Sequence, residues 1–495
     1  MAKKNLKQKA ASGMVWTALQ KYSTMFIQFI SGIILARLLT PYDYGCIGML
    51  AIFMTLAEAF IDGGFGSALI QKKQPTQEDY STIFYWNLGM AAVMYAILFI
   101  CAPAISRFYN IPLLCNVLRV QGLVLFIYAF NIVQRNQLRK NLNFKVLSIV
   151  TITTSVIALS VTIFMAYKGF GVWALVVQHL ITGAIPAIVF WFFIKWRPIL
   201  VFSWKSFKEL FGFGFYMFLT NLLNNFSVKI QGLLIGKLYS PSIMGYYSKA
   251  HNTESLASSS ISSIMTQVTY PLYAEAQNNL NLLANMIRRL TMTISYITFP
   301  LLFVLLLLAK PIFILLYSDR WIASIPYFQV LCIAGMGVSL TSVNTQAIAA
   351  IGKSKLMFVW TLVKRGVGIG IMVGGLLLFG MKGLLAGVVI SNWFSYFVNI
   401  CLVSKHIGYH FWKQIKDLMP VALVSIIAAA VSYGVGYLLH LNMYVNGLIV
   451  FFVFAAIYLG WSLVFKPEAY TYFLSVIPEK FKFVNRLKRS KVVDR

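Results

Sequence analysis

Two long apolar stretches of the chain each carry a lysine in line with amides or hydroxyls. In residues 14–36, polar side chains recur every three or four positions, at Lys21, Thr24, Gln28 and Ser31. Residues 211–236 repeat this spacing with Asn221, Asn225 and Lys229. Side chains at such intervals share one face of a helix. Two such faces opposed would line a cationic cavity suited to a phosphate group; the alternative is that each lysine extends to a membrane interface.

A third cationic position, Lys364–Arg365, lies within the apolar stretch 356–379. Adjacent helical residues point about 100° apart, so only one of the two is expected to face a cavity. We predict that this residue is Arg365, because a guanidinium grips phosphate through two hydrogen bonds. Arg119, near one end of the stretch 117–135, is instead predicted to lie at an interface or to pair with an acid.

Three acidic residues, Glu58, Asp62 and Glu254, also lie in apolar stretches. Each could pair with a lysine, or serve as a site for a coupling proton or Na⁺, or act as a gate that exchanges partners. Glu58 and Asp62 are one helical turn apart and precede the run Gly63-Gly64-Phe65-Gly66. Asp62 could therefore also cap the helix end at these glycines.

The sequence lacks the patterns of a metal or nucleotide site. The five cysteines have no metal-ligand spacing, and His406 and His410, four apart, have no acid nearby. There is no Walker loop for ATP, and no acidic pair stands in a loop that could hold a metal-bound sugar nucleotide. We predict no metal, no cofactor and no covalent chemistry.

The elements that carry these residues are membrane helices. The chain has 495 residues, of which 59% are hydrophobic and only 11% charged, against about 25% charged in soluble domains. The first apolar run lacks an Ala-x-Ala-like cleavage site and is predicted to be a retained span. Apolar runs long enough to span a bilayer predict an all-α polytopic membrane protein with fourteen transmembrane helices, at residues 14–36, 45–66, 83–104, 117–135, 147–167, 172–193, 211–236, 250–273, 291–309, 326–350, 356–379, 383–404, 418–438 and 445–465.

The distribution of cations predicts the orientation of these spans. With the N-terminus in the cytoplasm, every cytoplasmic segment carries at least two lysines or arginines, and no external loop, including the one assigned Lys249, carries more than two. This asymmetry predicts an even number of spans with both termini cytoplasmic. The net charge of +29 would suggest nucleic acid in a soluble protein; here it is expected to set topology and attract anionic lipid.

A short motif occurs twice, about two hundred residues apart. Ala36-Arg37-Leu38 leads to Thr40-Pro41 and Gly45, and Gly236-Lys237-Leu238 leads to Ser240-Pro241 and Gly245. In both copies a helix is predicted to end at a cation, with a proline turn before the next helix. This repeat predicts two similar halves, a common plan of transporters that bind substrate between them.

The spans then divide into successive regions. We predict an N-lobe of six helices, a basic cytoplasmic linker, a C-lobe of six helices, two appended helices and a basic cytoplasmic tail, at residues 1–193, 194–210, 211–404, 405–465 and 466–495. No loop is long enough to hold a soluble catalytic domain.

The segments Ile34-Leu-Ala-Arg-Leu-Leu-Thr-Pro-Tyr-Asp-Tyr-Gly45 and Asp62-Gly-Gly-Phe-Gly-Ser-Ala-Leu-Ile-Gln71 resemble bacterial Wzx-type polysaccharide exporters of the multidrug/oligosaccharidyl-lipid/polysaccharide superfamily. The resemblance extends over the whole chain. It implies two six-helix lobes in a V around a cavity that opens to each side in turn. It also implies an inner-membrane flippase for undecaprenyl-pyrophosphate-linked oligosaccharides, in surface polysaccharide or lipopolysaccharide biosynthesis, beside a polymerase and glycosyltransferases.

Combined with the polar faces, this resemblance places the pyrophosphate against Lys21, Lys229 and Arg365, with Gln28, Asn221 and Asn225 toward the substrate and the prenyl tail in lipid. Three alternatives stay open. A cation-coupled multidrug antiporter predicts a net acidic cavity. A membrane polysaccharide polymerase or ligase predicts a large external loop or a catalytic acid pair or histidine. An assembly partner of the export complex would tolerate loss of a cavity lysine.

Overall fold

The computed structural model describes residues 2–276, 279–351, 353–439 and 441–476. These residues are almost entirely helical and form no strand, so the all-α prediction is confirmed for this part of the chain. Of the predicted tail 466–495, residues 477–495 lie outside the described residues.

The elements follow in a simple series of helices joined by short turns, with one 3₁₀ helix at Asp319–Ser324. The α-helices are α1 (Ala2–Leu38), α2 (Pro41–Asp62), α3 (Phe65–Gln71), α4 (Gln77–Tyr109), α5 (Leu113–Gln121), α6 (Val124–Lys140), α7 (Phe144–Tyr167), α8 (Val172–Phe193), α9 (Trp204–Leu238), α10 (Pro241–Glu275), α11 (Leu280–Leu307), α12 (Ala309–Tyr317), α13 (Ile325–Ala350), α14 (Ser354–Ile407), α15 (Phe411–Leu439), α16 (Met443–Phe465) and α17 (Glu468–Val476).

Local sequence explains where the helices around the later site begin and end. Thr40 caps α2 through a capping box with Asp43, and Pro41 occupies the first turn, where its missing N–H costs nothing. Gly63 ends α2 in the left-handed conformation, with φ of 53°, and Gly64 follows with φ of 77°. Non-glycine residues rarely adopt such angles, so this pair separates α2 from α3.

Ten segments of the described chain are long and apolar enough to cross a membrane, which confirms a polytopic helical membrane protein. One of them, Leu356–Ile407, contains a break at Gly380, where φ is 60° and ψ is −143°. This break falls between the predicted eleventh and twelfth spans. The long helices α1, α9 and α10 are not among the ten, and the total of fourteen spans stays a prediction.

The described chain forms two compact units. The first comprises the residues through Lys249 together with Leu316–Trp321. Within it α2 packs on α4, α6 and α9, α1 packs along α7, and α8 packs against both α6 and α7. An aromatic cluster in it surrounds Phe65, which contacts Trp86, Phe207 and Phe211.

The second unit comprises Ala250–Leu315 and the described residues from Ile322 onward. In it α13 packs against α11 and α14, while α15 packs against α11 and α16. The two halves of α14 pack on each other where Gly375 and Gly383 meet; a Cβ on Gly383 would lie 1.9 Å from the carbonyl oxygen of Gly375. Arg288 joins three helices through ion pairs to Asp417, at 2.7 Å, and Glu468, at 2.5 Å.

Both copies of the repeated motif lie in the first unit and have the same local geometry. Each is a helix, a short turn and a helix that begins at proline. The copies also contact each other reciprocally. A Cβ on Gly45 would lie 1.8 Å from the Pro241 carbonyl oxygen, and a Cβ on Gly245 would lie 1.8 Å from that of Pro41. Glycine at these positions therefore permits a close approach of two helix starts.

Candidate functional site

Two polar cavities lie in the first unit, and both are reached from α2. The smaller, which we call the α2–α9 cavity, measures about 140 Å³. Its polar lining comes from three helices: Thr55, Glu58 and Asp62 of α2, Tyr128 of α6, and Asn221 and Asn225 of α9. The structure thus brings together two of the predicted substrate-binding amides and two of the three predicted coupling or gate acids.

Asp62 also performs the capping role that its sequence position allows. Its carboxylate accepts a hydrogen bond from the backbone N–H of Gly66 at 3.3 Å. A Cβ on Gly66 would lie 2.8 Å from the same oxygen, and one on Gly64 would lie 2.0 Å from the carbonyl oxygen of Gly214. The glycine run therefore brings backbone N–H groups to the acid and admits α9 closely at this corner.

The larger cavity, which we call the α6–α8 cavity, measures about 320 Å³. Glu58 borders it as well, so this residue lies between the two cavities. Apart from Thr55 of α2, the remaining polar lining comes from α5, α6 and α8, to which the sequence analysis gave no substrate role. It comprises Gln121, Tyr128, Asn131, Arg135, His179 and Thr182.

Two buried polar atoms of the α6–α8 cavity have no hydrogen-bond partner among the described residues. The amide nitrogen of Gln121 lies 3.1 Å from Nδ1 of His179, but the amide oxygen of Gln121 and that of Asn131 are buried without a hydrogen bond. Buried polar groups in proteins nearly always have a partner. The lining therefore has unused capacity to bind a polar group or water.

Sequence reasoning missed Arg135 and His179, although weak signals existed. Arg135 lies at the spacing of α6 positions 124, 128 and 131, which share its helical face. Because the predicted span 117–135 ends at Arg135, the sequence predicts that this cation belongs to the cytoplasmic segment that follows. In the structure α6 continues to Lys140, so Arg135 is part of the cavity lining.

The predicted substrate-binding cations of the first unit, Lys21 and Lys229, differ in their position relative to the cavities and to Glu58. Lys229 is exposed on α9 and lies near enough to Glu58 for their charges to interact, although it is not part of either lining. Lys21 is half-buried and Gln28 is exposed on α1, which packs along α7. Neither residue borders the two cavities.

In the second unit Arg365 is half-buried, and its neighbour Lys364 is the more buried of the two. The Lys364 ammonium donates a hydrogen bond to the Asn399 side-chain oxygen at 2.7 Å, and the Asn399 amide nitrogen in turn donates to the Thr345 hydroxyl at 2.9 Å. This buried chain joins α13 to both halves of α14. Sequence offered a weak signal, since Asn392, Ser395 and Asn399 recur at helical spacing, but it does not indicate which residues they meet.

Glu254, the third predicted acid, is buried in α10 at 6% exposure. One of its carboxylate oxygens, Oε1, has no hydrogen-bond partner among the described residues. A Cβ on Gly335 would lie 2.0 Å from this oxygen, so glycine at that position of α13 makes room for the carboxyl group.

Lys249 was counted among the loop cations, and this assignment was wrong. The residue lies within α10 and is 4% exposed. Its ammonium donates to the Gly32 carbonyl oxygen at 2.5 Å and lies 4.0 Å from the ring centre of Tyr317, with Tyr44 and Trp321 also within cation–π range. The Trp321 indole donates to the Ala36 carbonyl oxygen at 2.8 Å. We call the three rings of Tyr44, Tyr317 and Trp321 the aromatic cage of Lys249. They lie far from Lys249 in sequence, so no local sequence pattern predicts the cage.

The sequence model of a family described as polysaccharide biosynthesis protein matches residues 34–326, more than half of the chain. Taken with the apolar helical fold, the chain therefore belongs to this family of membrane polysaccharide biosynthesis proteins. The match covers the repeated motif and every residue of the two cavities.

Individual relatives support the resemblance to Wzx-type exporters. The chain is 24% identical to the teichuronic acid biosynthesis protein TuaB of Bacillus subtilis (strain 168), over 85% of this chain and 88% of TuaB. It is 22% identical to the lipopolysaccharide biosynthesis protein WzxC of Escherichia coli (strain K12), over 88% of this chain and 89% of WzxC. It is 23% identical to the succinoglycan biosynthesis transport protein ExoT of Rhizobium meliloti (strain 1021), over 70% and 71%.

Among solved structures, the fold is similar to that of the lipid II flippase MurJ in an inward closed conformation. The TM-score is 0.72, and the match covers 91% of this chain and all of MurJ, at 15% sequence identity. At this identity the likeness is one of fold.

Proposed function

We propose that this protein is a flippase for lipid-linked oligosaccharides. It would move undecaprenyl-pyrophosphate-linked repeat units from the cytoplasmic to the periplasmic leaflet of the bacterial inner membrane by alternating access. The observation that supports this most is a pair of polar cavities that share Glu58, among the apolar helices of a chain from a polysaccharide biosynthesis family. The name of the transport protein ExoT and the fold similarity to the flippase MurJ agree with a transport role, and the name of WzxC agrees with a polysaccharide pathway.

The work of such a protein is to shield polar groups from hydrocarbon. Moving a charged head group through the bilayer core is prohibitively costly unless protein dipoles and charges replace its hydration. In the proposal Lys21, Lys229 and Arg365 attract the pyrophosphate. Gln28 and the amides Asn221 and Asn225 bind sugar hydroxyls, and no bond is made or broken.

The acids supply the coupling or gating step of the proposal. Glu58 borders both cavities and interacts with the charge of Lys229, so binding a proton or Na⁺ there would change the electrostatics of both linings. Asp62 is already held by the backbone of Gly66, and Glu254 is buried in the other unit. The proposed orientation has both termini in the cytoplasm. The proposed partners at the inner membrane are a polymerase and glycosyltransferases of the same pathway.

Complementation tests this proposal. Wild type, Lys229→Ala and Arg365→Ala would be expressed at matched membrane levels in a strain that lacks its own exporter, with surface polymer and lipid-linked precursor both measured. We expect wild type to restore polymer, and both variants to lose it and accumulate precursor on the inner leaflet. The exposed cations Lys413→Ala and Arg107→Ala serve as matched controls and should retain polymer.

Two outcomes would contradict the proposal at different levels. Full polymer with both variants would show that these cations are structural. Failure of wild type to move precursor, when it is present in the membrane, would exclude the flippase function itself.

A cation-coupled multidrug antiporter is the second candidate. The α2–α9 cavity favours it, because its lining holds two acids and no lysine or arginine. This candidate predicts that wild type raises the resistance of a pump-deficient strain to cationic drugs and that Glu58→Gln abolishes the increase. The flippase proposal predicts no change in resistance.

A further inference from the structure

Four phenylalanine rings form a continuous row that ends at the α2–α9 cavity, and we call this row the phenylalanine track. The ring centres of Phe211 and Phe215 lie 5.4 Å apart, and those of Phe215 and Phe218 lie 6.3 Å apart. Phe60 of α2 completes the track, with its ring centre 5.2 Å from that of Phe218. Phe218 also lines the cavity. At the other end Phe211 stacks on the buried ring of Phe207 at 5.5 Å, which anchors the track.

The track shares a helical face with polar groups. Phe211, Phe218, Asn225 and Lys229 follow one another at intervals of seven, seven and four residues, so they lie on one face of α9. Amide and ammonium groups avoid hydrocarbon, and α9 is not among the ten apolar segments found in the described chain. This face is therefore suited to a polar space and not to lipid. Phe215, next to Phe218, is 40% exposed, so its ring is accessible from that space.

The cavity beside the track offers many hydrogen-bonding groups but little uncompensated charge. Asn221 and Asn225 supply amide donors and acceptors, while Glu58 and Asp62 supply carboxylate acceptors. Asp62 already accepts a backbone hydrogen bond at 3.3 Å, and Glu58 interacts with the charge of Lys229. None of the described residues that line this cavity is a lysine or an arginine. The lining therefore suits a ligand with many hydroxyl groups better than a phosphate group.

We propose that Phe60, Phe215 and Phe218 form a stacking platform for uncharged pyranose rings of the substrate glycan, with the α2–α9 cavity binding the hydroxyl groups of the sugar on Phe218. This inference rests on the proposed function and assigns a specificity-determining role to rings that the function leaves unused. A pyranose has an apolar C–H face and an edge of hydroxyl groups. The negative face of an aromatic ring attracts the C–H groups, while the acids and amides bind the hydroxyl edge.

Substitution of Phe218 tests whether the aromatic ring itself is used. Phe218→Leu keeps an apolar side chain but removes the ring, and Phe218→Tyr keeps the ring. In the complementation assay, at matched membrane levels, we expect Phe218→Leu to slow the accumulation of surface polymer about tenfold, which corresponds to about 1.4 kcal/mol. Phe218→Tyr should retain most of the rate.

Phe226→Leu is the matched control for this substitution, because Phe226 is 37% exposed on α9 and does not line the cavity. It should retain the wild-type rate. A wild-type rate with Phe218→Leu would overturn the platform. Equal losses with Phe218→Leu and Phe218→Tyr would also overturn it, since they would show that the position serves packing only.

Photo-cross-linking identifies the molecule that contacts the track. Benzoylphenylalanine in place of Phe215 would be compared with the same group in place of Phe164, a residue of α7 that is 61% exposed and lies outside the track. Both variants would be irradiated in cells that synthesise the lipid-linked precursor, and the protein would then be probed with an antibody to the glycan. We expect glycan on the Phe215 variant and phospholipid alone on the Phe164 variant.

Mild acid shows which part of the precursor is captured. It cleaves the bond between the pyrophosphate and the glycan, so glycan remains on the protein only where the cross-link lies on a sugar. We expect the glycan at position 215 to resist this treatment. Loss of the glycan after acid, or phospholipid alone at position 215, would overturn the platform.

A lipophilic cation is the rival occupant, because aromatic rings and acids would also bind one. Purified wild type and Phe218→Leu would be titrated with tetraphenylphosphonium, and we expect no saturable binding to either protein. Binding to wild type that is lost in Phe218→Leu would assign the rings to a cationic ligand and overturn the platform.

The two proposals fail in different ways. If wild type and Phe218→Leu restore surface polymer equally, the flippase stands and the platform falls. If wild type restores no polymer, the function itself fails.

Discussion

At the scale of residues, the energetic cost of a buried polar group depends on whether its hydrogen-bond partner is present. Lys364 is 9% exposed and bonds to Asn399. Removing one partner of a buried pair leaves the other with its full desolvation cost, whereas removing both is far less harmful. The Lys364–Asn399 pair therefore offers a test of whether the ammonium is held by this amide.

We expect Asn399→Leu to destabilise the protein by about 1–3 kcal/mol, because the ammonium loses its acceptor. The midpoint of thermal unfolding in detergent would measure the change. The double variant Lys364→Met with Asn399→Leu should recover most of the loss. If the double variant is as unstable as Asn399→Leu, the cost arises from packing and not from the unpaired lysine.

A second residue-scale feature is the aromatic cage of Lys249. Trp321 is fully buried, contacts Tyr44 edge-on at 5.4 Å and donates to the Ala36 carbonyl oxygen. With Tyr317 it fastens the short segment Leu316–Trp321 to the remainder of the first unit, and Arg37 adds a hydrogen bond to the Leu316 carbonyl oxygen at 3.1 Å.

We expect Trp321→Ala to cost about 3–5 kcal/mol, the usual loss for a large buried aromatic residue. The exposed Trp412→Ala should change stability by less than about 0.5 kcal/mol. Thermal unfolding with both variants at equal detergent concentration would compare them. Equal stability of the two would mean that the cage does not hold the segment.

At the scale of elements, the repeated motif allows the N-terminal ends of α2 and α10 to pack closely against each other. The capped starts of α2 and α10 are formed by local sequence, through Thr40 with Pro41 and Ser240 with Pro241. Their packing depends on the two glycines, which leave no room for a side chain against the opposite proline. The helix ends could thus be predicted, while the reciprocal contact could not, since it joins residues two hundred positions apart.

We expect Gly45→Ala and Gly245→Ala each to destabilise the protein by about 1–3 kcal/mol, as overpacking does, because the methyl group would strike backbone. Gly89→Ala in α4 is the matched control, since nothing lies within 4 Å of its Cβ position. It should be neutral or stabilising by about 0.5–1 kcal/mol. Similar losses for all three would indicate a general intolerance of alanine.

At the scale of the whole molecule, the lysines and arginines of the loops predict the orientation of the chain in the membrane. Lys310 belongs to a predicted external loop and Lys353 to a predicted cytoplasmic one, and both side chains are exposed. The two positions therefore provide a compact test of topology.

In a cysteine-free background, Lys310→Cys should react with a membrane-impermeant maleimide in intact spheroplasts, while Lys353→Cys should react only after permeabilisation. The ratio of labelling before and after permeabilisation is the measurement. The reverse pattern would invert the orientation, and labelling of both in intact cells would contradict the number of spans between them.

Sequence alone determined that this is a helical membrane protein. The bilayer requires long apolar helices and an unequal distribution of lysine and arginine between the loops, and both can be recognised in a sequence. It also determined the family, through segments near Ile34–Gly45 and Asp62–Gln71. Helical spacing further placed Asn221 and Asn225 on one face, and the structure puts both in the α2–α9 cavity.

Only the tertiary structure decided which residues pack against such a helical face. In the structure Glu58 borders two cavities, and Arg135 lines the α6–α8 cavity together with His179. Lys249 lies against aromatic rings and not in the loop predicted for it. Each of these results from packing between helices remote in sequence. Helical periodicity specifies which side chains share a face, but the neighbour of that face is chosen by shape and close approach, as glycine permits at Gly45, Gly183 and Gly245.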